Sequence, residues 1–362
     1  MKMAGAEWFE SGLLIFLPLR ALRPLRETPL PILETQKNMP RFDFAILGAG
    51  AIGSILGAHL ARAGHCVVML VRENRARQID AHGLHISGLS DFKQPVATLV
   101  DTAKLGSAKV LIVAMKTHGT AQALAPLRDA QIDSVLSIQN GLAKNELLAD
   151  IFGSERVLGS LANTSGELLP SGEVIFTRNV NLLLGALPGG DHALAHEIAR
   201  QIDASGVRAS AVSDILSREW SKFAAWAGFM VLAVAIRSST WKYLVDPDSA
   251  ALLAKLVREV GLLAAASGVQ LTDDSMLPVA SMCTGGEDEA VAAVIRAGHE
   301  FKSRAPDHRM SSLQDLDAGR ALEVEDTLGY AVRRASALGL TLPLLDASYR
   351  LAASIDRIQA VR

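Results

Sequence analysis

Short apolar runs separated by turn-forming residues dominate the chain from residue 42 onwards. The first run, residues 44–47, ends in glycines and leads into a helical pattern at about 51–63, and a second run covers 66–71. Two strands with a helix between them in about 30 residues predict a right-handed parallel unit. We therefore expect the folded part of the chain to begin as an α/β sheet domain.

Later apolar runs predict that this sheet is extended and then gains strands of opposite direction. Runs at 110–114 and 134–138 each lead into a polar or glycine-containing turn. Gly and Pro separate three more runs, which we expect to be additional, partly antiparallel strands at 157–161, 174–176 and 181–184. The sheet domain is expected to end near Ser213.

Beyond Asp214 the pattern changes to long Ala- and Leu-rich segments with a period of about 3.6 residues, which predicts an all-helical second domain. The predicted helices are 215–236, 247–267, 287–303, 312–318, 322–338 and 345–358. The longest uncharged apolar run, residues 223–236, lies between Lys222 and Arg237. It is shorter than the roughly 18 to 20 residues that a membrane span requires, so we interpret it as a buried helix.

Composition narrows the class of protein. The 362 residues carry 36 Lys and Arg against 38 Asp and Glu, a formal charge of −2, which disfavours a nucleic-acid partner or a polybasic membrane surface. Two cysteines, Cys66 and Cys283, are too few for a disulfide framework and suit a reducing compartment, so we expect a cytoplasmic protein. No histidine spacing predicts a metal site.

Residues 1–38 differ from the rest. An apolar run at 13–17 follows Glu7 and Glu10, where a signal peptide would carry positive charge, and four prolines lie between Pro18 and Pro31. We expect a poorly structured extension, with Met39 as the natural beginning.

A glycine motif follows the first predicted strand and opens the first predicted helix. It reads G-x-G-x-x-G and consists of Gly48, Ala49, Gly50, Ala51, Ile52 and Gly53. The glycines permit a tight turn, close approach of a pyrophosphate and close helix packing, while the helix start supplies free amides. This context predicts dinucleotide binding by a Rossmann-type domain.

The residue after the second strand indicates which dinucleotide is bound. NAD-binding domains usually place an acid there for the ribose 2′-hydroxyl, whereas an arginine can pair with a 2′-phosphate. Arg72 occupies this position, with Arg75 close by. We therefore favour NADPH/NADP+, the alternative being a solvated arginine in an ordinary loop.

Polar residues follow two later strands, where an open parallel sheet places its ligand. Lys116 follows one strand and could lie near an anionic substrate or the cofactor. Asn140 follows the next and could hydrogen-bond either, although Asn-Gly is also a good turn.

Lys222 precedes the apolar helical run and shares a helix face with Trp226 and Met230. Partial desolvation on this face would lower the pKa of the lysine and suit it to proton transfer. The alternative is a lysine whose stem packs while its ammonium reaches water.

Polar residues cluster again near the C-terminal end. Ser312 and Asp315 form a Ser-x-x-Asp pattern, which predicts a capping-box-like helix start, and Glu323 follows with two further acids. Each acid alone could be an acidic first helical turn.

Together these segments resemble the ketopantoate reductase (2-dehydropantoate 2-reductase) family of NADPH-dependent enzymes of pantothenate synthesis. The resemblance covers roughly Met39 to the C terminus and rests on the segments 48–53, 115–116, 139–142, 220–223 and 311–323. It implies an N-terminal Rossmann domain (39–213), a helical substrate domain (214–362) and an active site in the cleft between them.

The resemblance also implies roles for single residues. Lys222 matches the catalytic lysine, Glu323 the substrate-binding glutamate, and Ser311, with Ser312 as the alternative register, the substrate-binding serine. Lys116 and Asn140 match residues that serve cofactor and substrate. The implied partner is a small 2-oxo acid, and the implied assembly is a monomer or homodimer.

One departure from the family concerns the helix after the catalytic lysine. The family usually carries Asn one and two turns further on, where this chain has Trp226 and Met230. Losing two hydrogen-bonding groups changes what a pocket selects. A related NADPH-dependent reductase of another, more apolar 2-oxo acid or ketone is therefore the main alternative, and a non-catalytic NADP(H) sensor is a further one.

Overall fold

The computed structural model describes residues 41–360, so the expectation for residues 1–38 lies outside the described part. The first half of the described chain is a ten-stranded sheet with flanking helices. Its strands are β1 (Phe42–Leu47), β2 (Val67–Leu70), β3 (Leu84–Gly88), β4 (Phe92–Gln94), β5 (Ala97–Leu99), β6 (Ser107–Val113), β7 (Gln131–Ser137), β8 (Val157–Leu168), β9 (Val174–Ala186) and β10 (Ala209–Ala211). Its helices are α1 (Ala51–Arg62), α2 (Glu73–His82), α3 (Thr120–Leu124), α4 (Ala143–Phe152) and α5 (His192–Ala204).

The strand order is β4-β3-β9-β8-β7-β6-β1-β2-β5, with β10 also paired to β9. Neighbouring strands in the run β5-β2-β1-β6-β7-β8 pair in parallel, whereas β8 and β9 pair antiparallel. The predicted parallel unit is β1-α1-β2, in which Phe44 aligns with Val67. The prediction of partly antiparallel later strands is confirmed, but the runs at 174–176 and 181–184 are one strand, β9.

Alternating residues of β1 pack on opposite faces of the sheet, as expected for a strand that is buried on both sides. Phe44 and Ile46 belong to the core under α1, while Ala45 and Leu47 belong to the core on the opposite face. Because β1, β6 and β7 pair in parallel, their carboxyl ends lie along one edge of the sheet, and the loops that follow them lie at that edge.

From Ile215 onwards every described element is helical. The helices are α6 (Ile215–Ile236), α7 (Thr240–Val245), α8 (Pro247–Ala266), α9 (Val279–Thr284), α10 (Glu287–Arg304), α11 (Ser311–Asp317), α12 (Tyr330–Ala337) and α13 (Pro343–Ala360), and a π-helical turn, Glu325–Gly329, precedes α12. The predicted fold class, a Rossmann-type domain followed by a helical domain, is confirmed.

One predicted helix is wrong in its extent. The segment 322–338 is not a continuous α-helix, because its first ordered turn, Glu325–Gly329, is π-helical and the Gly329 amide donates to the Val324 carbonyl, five residues back, at 2.9 Å. The Thr327 hydroxyl donates to the Glu323 carbonyl, and regular α12 begins only at Tyr330.

Helix α6 forms the centre of the helical core. It is the one helix of the described part that is long and apolar enough to cross a membrane, but 83% of its apolar window is buried by the surrounding protein. The prediction of a buried helix is confirmed.

Candidate active site

The glycine motif forms the tight turn between β1 and α1. A Cβ added to Gly53 would lie 2.0 Å from the Gly48 carbonyl oxygen, so only glycine permits the close approach of α1 to the turn. A Cβ added to Gly50 would meet no described atom within 4 Å. The turn is therefore open at Gly50, where α1 begins without a side-chain cap, and its free amides fit a pyrophosphate.

The two arginines near the end of β2 have different environments. Arg72 precedes α2 and its side chain is exposed. Arg75 is half-buried, and its guanidinium donates to the Ala49 carbonyl at 3.2 Å and to Ser54 Oγ at 3.1 Å. Arg75 therefore stabilises the glycine turn through its hydrogen bonds, whereas Arg72, near the end of β2, has an exposed side chain that is available to a ligand.

Two of the predicted residues, Asn140 and Lys222, line one pocket. Asn140 follows β7 and Lys222 lies on the second turn of α6. The remaining lining residues come from the loop after β7, from β8, from α4 and from α6: Gln139, Gly141, Lys144, Ser160, Leu161, Glu219, Phe223 and Trp226.

Lys222 is half-buried, and its Nζ donates to the Ala162 carbonyl on β8 at 2.7 Å. Burial is the largest influence on this group and disfavours its charge. Repulsion from Lys144 and Arg178 acts in the same direction, and only Glu219 opposes it, so the pKa of Lys222 falls to about 7. The ammonium of Lys222 thus lies at the pocket with a lowered pKa, which agrees with the desolvated lysine, one of the two alternatives that the sequence leaves open.

Aromatic side chains form one wall beside Lys222. Trp226 stacks on Phe223 with ring centroids 6.2 Å apart, and both line the pocket. Met230, one turn further along α6, is fully buried in the helical core. Of the two departures from the family pattern, only Trp226 therefore lies at the pocket.

Lys116 and Glu323 form a second group. Lys116 Nζ lies 2.6 Å from Asp315 Oδ2 and 3.5 Å from Glu323 Oε2. Glu323 also accepts a hydrogen bond from the Thr117 amide at 2.9 Å, and Asp315 accepts one from Arg320 Nε at the same distance. The two acids lie in the helical part of the chain, so this group connects it to the loop after β6.

Gln139 connects the two groups. Its amide nitrogen donates to the Met115 carbonyl at 3.0 Å, directly before Lys116, and its side chain also lines the pocket of Lys222. The loops after β6 and β7 are thereby held side by side, which brings the predicted polar residues of both strands to one region.

The serines of α11 differ in exposure. Ser311 is the first residue of the helix and is exposed, whereas Ser312 is buried and its hydroxyl has no hydrogen-bond partner among residues 41–360. The predicted capping box is wrong: Met310, and not Ser312, is the N-cap residue and makes no side-chain cap, while the Asp315 carboxylate is engaged by Lys116 and Arg320.

Sequence reasoning did not select three charged residues of the site, Lys144, Glu219 and Asp315. Glu219 had a usable signal, because it stands three positions before Lys222 and so shares its helix face. Lys144 and Asp315 carry no comparable local signal. Within residues 41–360, no group of three or more His, Cys, Asp or Glu side chains is arranged to hold a metal ion.

Comparisons with known proteins agree with this architecture. A solved 2-dehydropantoate 2-reductase from Methylococcus capsulatus has a TM-score of 0.73 and 26% identity, covering 88% of this chain and 97% of that one. A D-mandelate dehydrogenase with NADH and anilino(oxo)acetate has a TM-score of 0.74 over 87% of this chain and 99% of that one, and at 20% identity it shares the fold.

Sequence comparisons extend over both parts of the chain. A 2-dehydropantoate 2-reductase of Archaeoglobus fulgidus is 27% identical over 297 residues, which are 82% of this chain and 91% of that protein. The family model described as Ketopantoate reductase PanE/ApbA matches residues 44–189, and the one described as Ketopantoate reductase PanE/ApbA C terminal matches residues 214–356. Since the two models match more than half of the chain, it belongs to the ketopantoate reductase family of oxidoreductases.

Proposed function

We propose that this protein reduces 2-dehydropantoate (ketopantoate) to pantoate with NADPH, as a step of pantothenate and coenzyme A biosynthesis. The observation that carries the proposal is the position of Lys222, which lies at a pocket with Asn140 and has a pKa of about 7. The relatives from Archaeoglobus fulgidus and Methylococcus capsulatus are both named 2-dehydropantoate 2-reductases, which supports the same activity.

The glycine turn, Gly48 to Gly53, is the proposed site of the cofactor pyrophosphate, and Arg72 is the proposed partner of the 2′-phosphate. Both features fit, because the turn is open at Gly50, and the exposed Arg72 lies two residues beyond Leu70, whose carbonyl accepts from the Gly48 amide at 3.0 Å. When bound, NADPH supplies a hydride for the ketone carbon of the substrate.

Lys222 is the proposed general acid. Negative charge builds on the carbonyl oxygen as the ketone is reduced, and an ammonium beside that oxygen both stabilises the charge and protonates it. A pKa of about 7 keeps the proton available near neutral pH without binding it too tightly.

The remaining predicted residues are proposed to orient the substrate. Glu323 is proposed to accept a hydrogen bond from the substrate hydroxyl, while Lys116 and Ser311 are proposed to hold its carboxylate. Asn140 is proposed to hydrogen-bond substrate or cofactor from the wall of the Lys222 pocket. Several fixed contacts of this kind lower the entropic cost of reaching the reactive geometry.

A second candidate function is the NADPH-dependent reduction of a more apolar 2-oxo acid or ketone. The observation that favours it is the aromatic wall of Phe223 and Trp226 beside Lys222. A non-catalytic NADP(H) sensor is disfavoured, because binding alone needs neither Lys222 nor Glu323.

An NADPH-oxidation assay over a panel of 2-oxo acids tests the proposal. The panel contains ketopantoate, aliphatic analogues without its hydroxyl, and aromatic 2-oxo acids. The highest kcat/KM with ketopantoate supports the first function, and preference for an apolar member supports the second. Cofactor binding without turnover of any member would contradict both.

A further inference from the structure

A buried ion pair lines the same pocket as Lys222, the proposed general acid. Lys144 Nζ on α4 is 3.1 Å from Glu219 Oε1 on α6, and each side chain is only 5% exposed. Burying two charges costs several kcal/mol per ion unless further hydrogen bonds compensate. A buried pair is therefore expected either to have further hydrogen-bond partners that offset this cost or to contribute to function.

The compensation is nearly complete. Lys144 Nζ also donates to the backbone carbonyls of Ser137, at 3.0 Å, and of Ser160. Glu219 accepts from the Ser160 amide at 2.8 Å and from Asn145 Nδ2 at 2.6 Å. The pair consequently fixes four elements to one another, namely the end of β7, β8, α4 and the first turns of α6.

The same contacts fix the part of α6 that carries Lys222. Glu219 and Lys222 are three positions apart on this helix and line the same pocket as Lys144. The Ala162 carbonyl that accepts from Lys222 lies on β8, two residues beyond Ser160, which contacts both members of the pair. A displacement of the pair would therefore displace Lys222 relative to β8.

Charged groups face Lys222 from three elements. Besides the dominant effect of burial, Lys144 from α4 disfavours the charged form, Glu219 from α6 favours it, and Arg178 from β9 disfavours it. The two members of the ion pair thus act on Lys222 in opposite directions.

We propose that Lys144 and Glu219 are positioning residues of the reaction site, which hold Lys222 at the pocket and balance a cation against an anion beside its ammonium. The catalytic consequence rests on the proposed function of Lys222 as general acid, whereas the electrostatic relationship does not. A pair that only held these elements together, with no electrostatic effect on Lys222, would change stability when replaced but leave the proton affinity of Lys222 unchanged.

Competitive acetylation tests this relationship without any substrate. The protein is treated with trace acetic anhydride over a range of pH, and peptide mass spectrometry gives the acetylation rate of Lys222 at each pH. Because only the neutral amine reacts, the rate curve gives the pKa of this lysine. The variants are Lys144→Met, Glu219→Gln and the double variant Lys144→Met/Glu219→Met.

Lys144→Met is expected to raise the pKa of Lys222 by about one pH unit, because a repelling cation is removed. Glu219→Gln is expected to lower it by a smaller amount, because an attracting carboxylate is removed while Lys144 keeps two carbonyl partners that hold its charge. The double variant is expected between Lys144→Met and the wild type, because Lys144 has the larger of the two effects.

Glu146→Gln is a matched control. Glu146 also lies on α4 and forms an ion pair of 2.6 Å with Arg334 on α12, but it does not line the pocket of Lys222. This variant is expected to leave the Lys222 pKa unchanged. Should a single variant fail to fold, the double variant decides, since apolar replacement of a buried pair is often neutral or stabilising.

Shifts of the same sign in both single variants, or a Lys222 pKa in the double variant equal to that of the wild type, would overturn the proposal. The pH profile of kcat/KM provides the catalytic readout and is expected to move with the acetylation curve. If the acetylation shifts occur but no 2-oxo acid is reduced even by the wild type, the proposed function fails and the positioning role stands.

Discussion

The ammonium of Lys116 lies 2.6 Å from the carboxylate of Asp315, although 199 positions separate the two residues in the chain. Burial disfavours the charge on Lys116, but attraction to Glu323 and Asp315 outweighs it and raises the pKa of the lysine. The helical domain thus holds a charged lysine in place on the loop after β6, where its ammonium can pair with an anionic ligand.

Lys116→Met is expected to raise the KM of the 2-oxo acid about 10- to 100-fold, because a hydrogen bond to a charged group contributes about 1.5–3 kcal/mol. Steady-state kinetics at saturating NADPH measure the effect. Lys109→Met is the control, since Lys109 is a comparably exposed lysine on β6 that pairs with Asp43 at 2.7 Å. Equal KM values for the wild type and Lys116→Met would contradict the proposed substrate contact.

Lys222→Met is expected to reduce kcat about 10²- to 10⁴-fold, the usual contribution of general acid catalysis. The affinity for NADPH, measured by calorimetry, is expected to be unchanged. Lys255→Met serves as the control, because Lys255 is exposed on α8 and pairs with Glu287. Normal turnover of the Lys222 variant would refute the proposed mechanism.

The pH dependence of the two reaction directions follows from the pKa of about 7 of Lys222. Reduction needs the protonated lysine, so its kcat/KM is expected to be constant well below pH 7 and to fall about tenfold per pH unit above it. Oxidation of the hydroxy acid needs the neutral lysine as base and is expected to rise over the same range. Parallel profiles in the two directions would exclude Lys222 as the group that transfers the proton.

Arg72→Ala is expected to raise the KM for NADPH at least about tenfold and the KM for NADH much less, because only NADPH offers a 2′-phosphate for a charge-assisted contact. Arg75→Gln is the informative comparison. Arg75 binds the Ala49 carbonyl and Ser54, so its loss loosens the glycine turn and is expected to weaken both cofactors equally. Equal effects of Arg72→Ala on the two cofactors would remove the assignment to NADPH.

Features that depend on neighbouring residues were predictable from the sequence. The strand before Gly48, the turn and the helix after it follow from local periodicity, and they place the turn at the carboxyl edge of the sheet without further information. Helix α6 was also predictable, with bounds of 215–236 in both sequence and structure, and with it the partial burial of Lys222.

Features that depend on the contact between the two domains were not predictable. Asp315 has the sequence context of a capping residue, but Lys116 reaches it from a distant loop, and an ion pair is a stronger partner for a carboxylate than a helix amide. Lys144 similarly stands in an ordinary helix start, and only the fold brings Glu219 to it. The local sequence pattern cannot indicate such partners, because a charged residue on a helix is equally compatible with exposure to solvent.

The identity of the side chain one helical turn after Lys222 leads to the last prediction. Trp226 lines the pocket, at a position where the ketopantoate reductase pattern has an asparagine. Trp226→Asn is expected to increase the ratio of kcat/KM for ketopantoate to that for an aliphatic analogue without the hydroxyl by about tenfold or more, because a buried amide left unpaired penalises the analogue.

The ratio is measured on one enzyme preparation with both substrates, so loss of folded protein cancels from it. Such loss is expected, since truncating a buried tryptophan costs about 3–5 kcal/mol. Trp220→Asn is the matched control, because Trp220 is equally buried on α6 but does not line the pocket. An equal change of the ratio in both variants would show that the helix packing, and not the residue facing the substrate, determines the preference.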